Sequence, residues 1–356
     1  MKTSPVTAQD LQRSVIAVPP LARHDDLSLN VEANQALLGH LEAGGVRNVM
    51  YGGNANFYNV GVGEYARIVD MLAGMAGPDT WILPSVGPDY GKMMDQAAIL
   101  RSRAFPTAML LPMAFPYTDA GLADGVRRFT DALGKPAVIY LKSADYLAPA
   151  TAARLIEEGR IVAFKYAVVR EDPSRDAYLS ALLQAVDTRW VVSGIGERPA
   201  IVHYRDFGLK SFTSGSVCVA PRGSMRLLHL LRDGRYDEAE AVRAKYLPLE
   251  DCRDGISPIR VLHDAVTLSG VADMGPMLPL LTGLLLRAFA TGGYANLDNV
   301  HRWMLGFVKD SPQSHRYQEV AERITEALER RLLPGLRDAL VSPSWMTPDD
   351  FARDLR

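Results

Sequence analysis

The sequence predicts an α/β protein: a (β/α)8 barrel, or TIM barrel, followed by a C-terminal helical extension. Three observations predict it. From Ser14 to Asp233, short apolar runs rich in β-branched residues alternate with amphipathic segments. The runs have little polar face, as expected of parallel strands covered on both sides. The unit occurs eight times before the pattern changes, which suits a closed barrel better than an open doubly wound sheet.

The predicted strands span 15–21, 48–51, 80–86, 108–113, 137–142, 161–167, 190–195 and 211–216. Helices are predicted over 31–41, 64–73, 90–101, 122–133, 149–158 and 176–186, where apolar residues recur at helical spacing, as in Leu122, Val126, Phe129 and Leu133. After Asp233 the strand pattern ends. Segments 236–246, 258–268, 277–290, 297–308 and 316–333 read as helices, the last rich in Glu and Arg at ion-pairing distance. Two regions are therefore expected: a catalytic barrel over 14–233 and a helical region over 234–356 that covers the barrel or serves oligomer contacts.

Composition excludes several functions. A formal net charge of -2 and scattered basic residues give no reason to expect nucleic acid or an anionic membrane as partner. The longest greasy stretch, from Met277, is interrupted by Pro279 and Gly283 and is too short to span a bilayer. The first residues lack the apolar core of a secretory signal, and two cysteines, Cys218 and Cys252, imply no disulfide framework. A cytoplasmic protein is the expectation. The seven histidines are scattered without metal-ligand spacing, so no metal and no external cofactor are expected.

Lys165 stands out. It lies in Ile161-Val-Ala-Phe-Lys-Tyr-Ala167, near the C-terminal end of the sixth strand, the end that holds the active site in such barrels. Burying its ammonium is costly unless the charge is paired or the pKa falls. A lowered pKa makes the amine a nucleophile for carbonyl carbon. The alternative is a lysine that snorkels from the strand end or pairs with a carboxylate. Tyr140 holds the matching place on the fifth strand, where its phenol could reach the amine and move protons; otherwise it is a core tyrosine. Lys142 shares its parity and is a rival amine that sits further out.

The loop Gly52-Gly-Asn-Ala-Asn56 follows the second strand. Paired glycines can turn backbone N–H groups toward a carboxylate, or merely make a tight turn. Glu197, after Ser193-Gly-Ile-Gly196, could meet distal substrate hydroxyls or cap the next helix. Gly61-Val-Gly-Glu-Tyr-Ala66 matches a dinucleotide-binding pattern, but the strand before it ends near Tyr51, too early for that fingerprint. A nicotinamide-dependent oxidoreductase is thus a minor alternative.

In this order the motifs resemble those of the dihydrodipicolinate synthase/N-acetylneuraminate lyase family. The resemblance runs from about Val15 to about Leu284. The family's G-x-K on strand six appears as Ala163-Phe-Lys165, and Phe212-Thr-Ser-Gly-Ser216 with Pro221 is similar to its eighth-strand signature. Ser257-Pro-Ile-Arg-Val-Leu-His263 resembles its N-P-I-P-V-K helix, and Gly275-Pro-Met-Leu-Pro-Leu280 the segment after it. Within the family, the loop from Gly52 to Val60 looks most like that of 5-dehydro-4-deoxyglucarate dehydratases.

The resemblance implies a class I lyase, an aldolase or dehydratase acting on pyruvate-like 2-keto acids or keto-sugar acids. Lys165 would form the Schiff base and Tyr140 would shuttle protons. The amides of Asn54 and Ala55 would hold the carboxylate, with Gly53, Asn56, Glu197 and Ser214 also on the substrate side. It also implies a homo-oligomer, a dimer or tetramer. The chain departs from the pattern where hydroxyls are replaced by Asn54 and Ala55 and a glutamate by Asn56. The tyrosine expected after strand four is missing from Pro112-Met-Ala-Phe-Pro116, and an arginine expected beyond Tyr140 is missing near Asp145. These departures argue against dihydrodipicolinate synthesis itself. They also leave open a barrel that binds or senses a keto acid without turning it over.

Overall fold

The structure is a computed structural model and describes residues 1–283. A short helix α1 (Ala8–Gln12) precedes the first strand, β1 (Ile16–Ala17). Then follow α2 (Val31–Ala43), β2 (Asn48–Tyr51), α3 (Val62–Met75), β3 (Trp81–Val86), α4 (Tyr90–Arg101) and β4 (Met109–Leu110). The second half has α5 (Asp119–Leu133), β5 (Ala137–Leu141), α6 (Pro149–Glu157), β6 (Ile161–Tyr166), α7 (Ala177–Ala185), β7 (Val191–Ser193), α8 (Ala200–Arg205) and β8 (Thr213–Ser214). Helices α9 (Pro221–Arg232), α10 (Tyr236–Arg243), α11 (Leu247–Gly255) and α12 (Pro258–Leu268) complete the described chain.

All eight strands are parallel, in the order β7-β6-β5-β4-β3-β2-β1-β8. A parallel bridge between Ser193 and Phe212 joins the two ends, and Ser193 N–H donates to the Ser211 carbonyl at 3.2 Å. The expected (β/α)8 barrel is therefore what the chain forms. Its strands are short, several only two residues long, because the apolar runs continue past the ladder into loops at the barrel mouth.

The helices start where local chemistry says they should. Asp89, Thr118 and Asp176 cap α4, α5 and α7, each accepting a hydrogen bond from a first-turn backbone N–H. Ser257 caps α12 ahead of Pro258, which needs no donor at that position. Two readings change. Segment 277–283 is not helical: Leu280 adopts a left-handed φ of 79°, and Pro279 supplies no N–H. The rest of the helix predicted over 277–290, and those over 297–308 and 316–333, lie outside the described residues. Helix α11 has no counterpart among the expected elements. Leu249 of α11 and Leu262 and Val266 of α12 are fully buried, the last two in the same core as the strands.

Candidate active site

Tyr166 donates to Asp176 at the head of α7, so the last residue of β6 points outward to the helices. Side chains alternate along a strand, so Lys165 points the other way, into the barrel. Only 6% of Lys165 is exposed. Among the described residues its amine has neither a hydrogen bond nor an ion pair; its neighbour is Tyr140. The two are register partners on β5 and β6, and Nζ stands 4.2 Å from the centre of the Tyr140 ring. Burial, reinforced by the positive charges of Arg253 and Lys142, brings the Lys165 ammonium down to about 7. Burial also pushes the Tyr140 phenol up to about 12, with Arg253 pulling weakly the other way. Near neutral pH the site thus pairs a part-neutral amine with a firmly protonated phenol. Lys142, the rival amine, is exposed and acts on Lys165 only through its charge.

After β2 the chain makes two short 3-10 turns, Gly53–Ala55 and Phe57–Asn59. A side chain at Gly52 would lie 2.7 Å from Ser85 Oγ and 2.9 Å from Met109 Cε, so glycine lets this loop press onto β3 and the start of β4. Asn54 Nδ2 donates to the Val18 carbonyl at 2.7 Å, which spends the amide on holding the loop. Asn56 takes a left-handed φ of 57° and accepts from Asn59 Nδ2 at 2.8 Å. Asn54, Ala55 and Asn56 line a small cleft with Arg23 and His263. Tyr58, which follows this loop, is pushed up by burial and by the nearby phenols of Tyr140 and Tyr146. It stands beside the candidate amine's partner and is not among the candidates that the sequence supplies. Gly61, of the dinucleotide-like pattern, begins α3 beyond both turns, and Glu64 of that pattern pairs with Arg23 at 2.7 Å.

The structure brings Glu197 and Ser214 together. Glu197 is fully buried, and Ser214 Oγ donates to it at 2.7 Å, as Ser224 Oγ does at 2.5 Å. Pro199, not Glu197, occupies the cap position of α8. The carboxyl therefore does not cap α8; through the two serines it ties β8 to α9. Burial, with the negative charge of Glu250 beside it, pushes its carboxyl up to about 7.

Two residues of α11 complete the mouth and are likewise missing from the sequence-derived candidates. Arg253 is 9% exposed, and its Nη1 donates to Glu250 Oε1 at 2.9 Å. Glu250 in turn accepts from Ser216. Both reach in over glycines. A side chain at Gly215 would lie 2.8 Å from Arg253 Nη2, and one at Gly196 2.6 Å from Glu250 Oε2. The signal is present as a Glu250-x-x-Arg253 spacing and the two glycines, but nothing in the spacing says that a charged pair turns inward. Among the described residues, no group of three His, Cys, Asp or Glu side chains could hold a metal ion. No described helix is long and apolar enough to cross a membrane.

Comparison with known proteins gives two unlike results. Residues 281–340 match the model of the class-II DAHP synthetase family. A phospho-2-dehydro-3-deoxyheptonate aldolase of Streptomyces coelicolor is 54% identical over 44 residues, which is 12% of this chain and 10% of that protein. The family-model match begins where the barrel resemblance ends, near Leu284.

The solved structures resemble the barrel. Dihydrodipicolinate synthase from Oceanobacillus iheyensis superimposes with a TM-score of 0.73 at 19% identity, over 85% of this chain and 99% of that one. A prophage protein of the dihydrodipicolinic acid synthase family from E. coli K12, solved in complex with pyruvate, gives 0.68 at 19% identity, covering 76% and 93%. The 4-hydroxy-tetrahydrodipicolinate synthase of Methylacidiphilum fumariolicum SolV gives 0.68 at 16%, covering 89% and 98%. The chain has the (β/α)8 fold of its structural neighbours, which are members of the dihydrodipicolinate synthase family.

Proposed function

We propose that the protein is a class I lyase, an aldolase or dehydratase of 2-keto acids, working through a Schiff base on Lys165. The observation that carries this reading is the buried, unpaired Lys165 amine at a strand end, brought down to about 7 and lying against Tyr140. The neutral amine adds its lone pair to the keto carbon, and the former carbonyl oxygen takes a proton. Loss of water then leaves an iminium, which withdraws electrons from the neighbouring bond and lets it break. Tyr140, held protonated, is the proton donor beside the amine. Asn54 and Ala55 lie in the first turn of a 3-10 helix, where backbone N–H groups lack partners within the turn and suit a carboxylate. The barrel fold shared with a pyruvate-bound neighbour supports the substrate class.

The test is to incubate the protein with pyruvate and sodium borohydride, then measure intact mass and map the modified peptide. A reduced pyruvyl adduct on Lys165, absent from Lys165→Ala, is the expected result. No adduct from pyruvate or larger keto acids on folded protein would overturn the reading. A second reading, binding without turnover, is favoured by one detail. The loop after β2 carries no hydroxyl at positions 54–56, and the Asn54 amide is already engaged with Val18. An adduct on Lys165 with no release of product from any keto-sugar acid would select it.

A further inference from the structure

Ser85 stands in the otherwise apolar run Trp81-Ile-Leu-Pro-Ser-Val86 of β3. It is fully buried, and its Oγ has no hydrogen-bond partner among the described residues. Buried hydroxyls are nearly always paired, because an unpaired one has given up water for nothing. The register shows which way this one faces. Ser85 pairs with Met109, and Met109 with Val138, two residues before Tyr140 on β5. Register partners and next-but-one residues share a face, so Ser85 points into the barrel with Tyr140 and Lys165. Strands of such a barrel are tilted, the register slips by about one residue per strand, and alternate strands build one interior layer. Two strands on from β3, the residue level with Ser85 is therefore Tyr140 rather than Val138, and the two belong to one layer. Gly52, whose added side chain would lie 2.7 Å from Ser85 Oγ, brings the start of the candidate carboxylate loop down onto the same hydroxyl.

We infer that Ser85 is a catalytic hydrogen-bond donor which, with Tyr140, brackets the oxygen of the keto group that Lys165 attacks. The inference rests on the Schiff-base reading of Lys165. With the carboxylate on the Asn54/Ala55 turn after β2 and the keto carbon at Lys165 on β6, the arc between them carries β3, β4 and β5. On that arc β4 presents Met109, while β3 and β5 present the hydroxyls of Ser85 and Tyr140. As the amine lone pair adds to the keto carbon, the π electrons move onto oxygen, which takes the Tyr140 proton. The phenolate recovers a proton from the new C–N nitrogen, leaving a neutral carbinolamine. Ser85 keeps its own proton throughout and donates only a hydrogen bond. Charge gathers on that oxygen only as addition proceeds, so a donor there acts on the rate rather than on binding. The loop after β2 has no hydroxyl at positions 54–56 to give, and β3 supplies one from beside it.

Timed borohydride quenching of Lys165 labelling by pyruvate tests it, over a range of pyruvate concentrations and pH. The proteins are wild type, Ser85→Ala and Ser85→Cys, with melting temperature as the folding control. Ser85→Ala should lower the maximal rate by about 100-fold, the low end for loss of one such donor, and leave half-saturating pyruvate within about two-fold. Its pH midpoint should stay near 7, since burial, Arg253 and Lys142 set that value and Ser85 does not. Its melting temperature should hold or rise, because alanine removes an unpaired buried hydroxyl. Ser85→Cys, whose thiol is a weak donor, should fall between the two rates. A wild-type maximal rate in Ser85→Ala would overturn the inference. So would a raised half-saturation at unchanged rate, which would put the hydroxyl on the carboxylate. A lower melting temperature with the midpoint moving toward 10.5 would make Ser85 structural and overturn it as well. Failure of the Schiff-base reading shows separately, as wild type left unlabelled by pyruvate and by larger keto acids, and it takes this inference with it.

Discussion

Nζ of Lys165 stands 4.2 Å from the centre of the Tyr140 ring, so the amine meets the face of the tyrosine. The ring's negative face stabilises a cation and thus works against the burial that drives the ammonium toward neutrality. The hydroxyl's role and the ring's role are separable. Tyr140→Phe keeps the ring and should leave the pH midpoint of labelling near 7 while slowing imine formation by about 100-fold, the low end of general acid–base contributions. Tyr140→Ala removes the ring as well and should move the midpoint. Pre-steady-state labelling by pyruvate and borohydride across pH separates the two; a Phe variant with wild-type rate would remove the phenol from the chemistry.

The rate of Schiff-base formation should follow the Lys165 free base. With a pKa of about 7, the neutral fraction falls about ten-fold per unit below pH 7 and levels off above about pH 8. An ordinary lysine at 10.5 would still be gaining rate at pH 10. Labelling at sub-saturating pyruvate between pH 5.5 and 9.5 distinguishes these profiles.

The same shift makes Lys165 a stability defect with a defined pH window. Its pKa is lower in the fold than in the unfolded chain, so between about 7 and 10.5 the unfolded state binds more protons and stability rises with pH. Below 7 both states are protonated and the full cost of the buried charge remains. Lys165→Met should therefore raise the melting temperature most below pH 7, with the gain shrinking toward pH 10. Equal gains at pH 6.5 and 9.5 would show that the buried ammonium is not the cause.

Glycines 196 and 215 exist for what lies above them. Gly215→Ala would drive Cβ to 2.8 Å from Arg253 Nη2, an overpacking cost of about 1–3 kcal/mol. Gly196→Ala adds left-handed strain at φ 79° to a 2.6 Å clash with Glu250, about 2–5 kcal/mol together. Urea unfolding should therefore rank Gly196→Ala below Gly215→Ala in stability. The reverse order would mean that the Glu250 carboxylate moves aside freely.

Much of this molecule is legible in its sequence, and what is not shares one physical cause. Strand β2, helix α4 and helix α12 fall where apolar periodicity and local caps place them, since Asp89 and Ser257 act on donors three residues away. Lys165 and Tyr140 are legible because a polar residue in an apolar strand is conspicuous. Helix α11 is not: Glu250, Asp251, Arg253 and Asp254 read as a solvated face, although Glu250 and Arg253 are the inward pair. The place of Glu197 is hidden for a related reason. Its partners, Ser214 and Ser224, lie 17 and 27 residues away, and no local pattern records that they close over it.

That closure gives the last prediction. Glu197 is raised by burial and by Glu250, so its carboxyl, held between two serine hydroxyls, keeps its proton to higher pH than a free carboxyl does. Its folded pKa lies above the usual 4.5, so the native state binds more protons between 4.5 and 7 and this group's contribution falls as pH rises through that window. Glu197→Gln removes the charge and keeps an acceptor, so it should be least harmful above pH 7, where the wild-type carboxylate is most costly. Glu197→Ala leaves both hydroxyls short of an acceptor and a void beneath β8, a loss of about 2–4 kcal/mol. Chemical denaturation of both variants at pH 5 and pH 8 checks the assignment. If Glu197→Gln were better tolerated at pH 5 than at pH 8, the carboxyl would have to be ionised and stabilised in the fold, and burial beside Glu250 would not be what sets its charge.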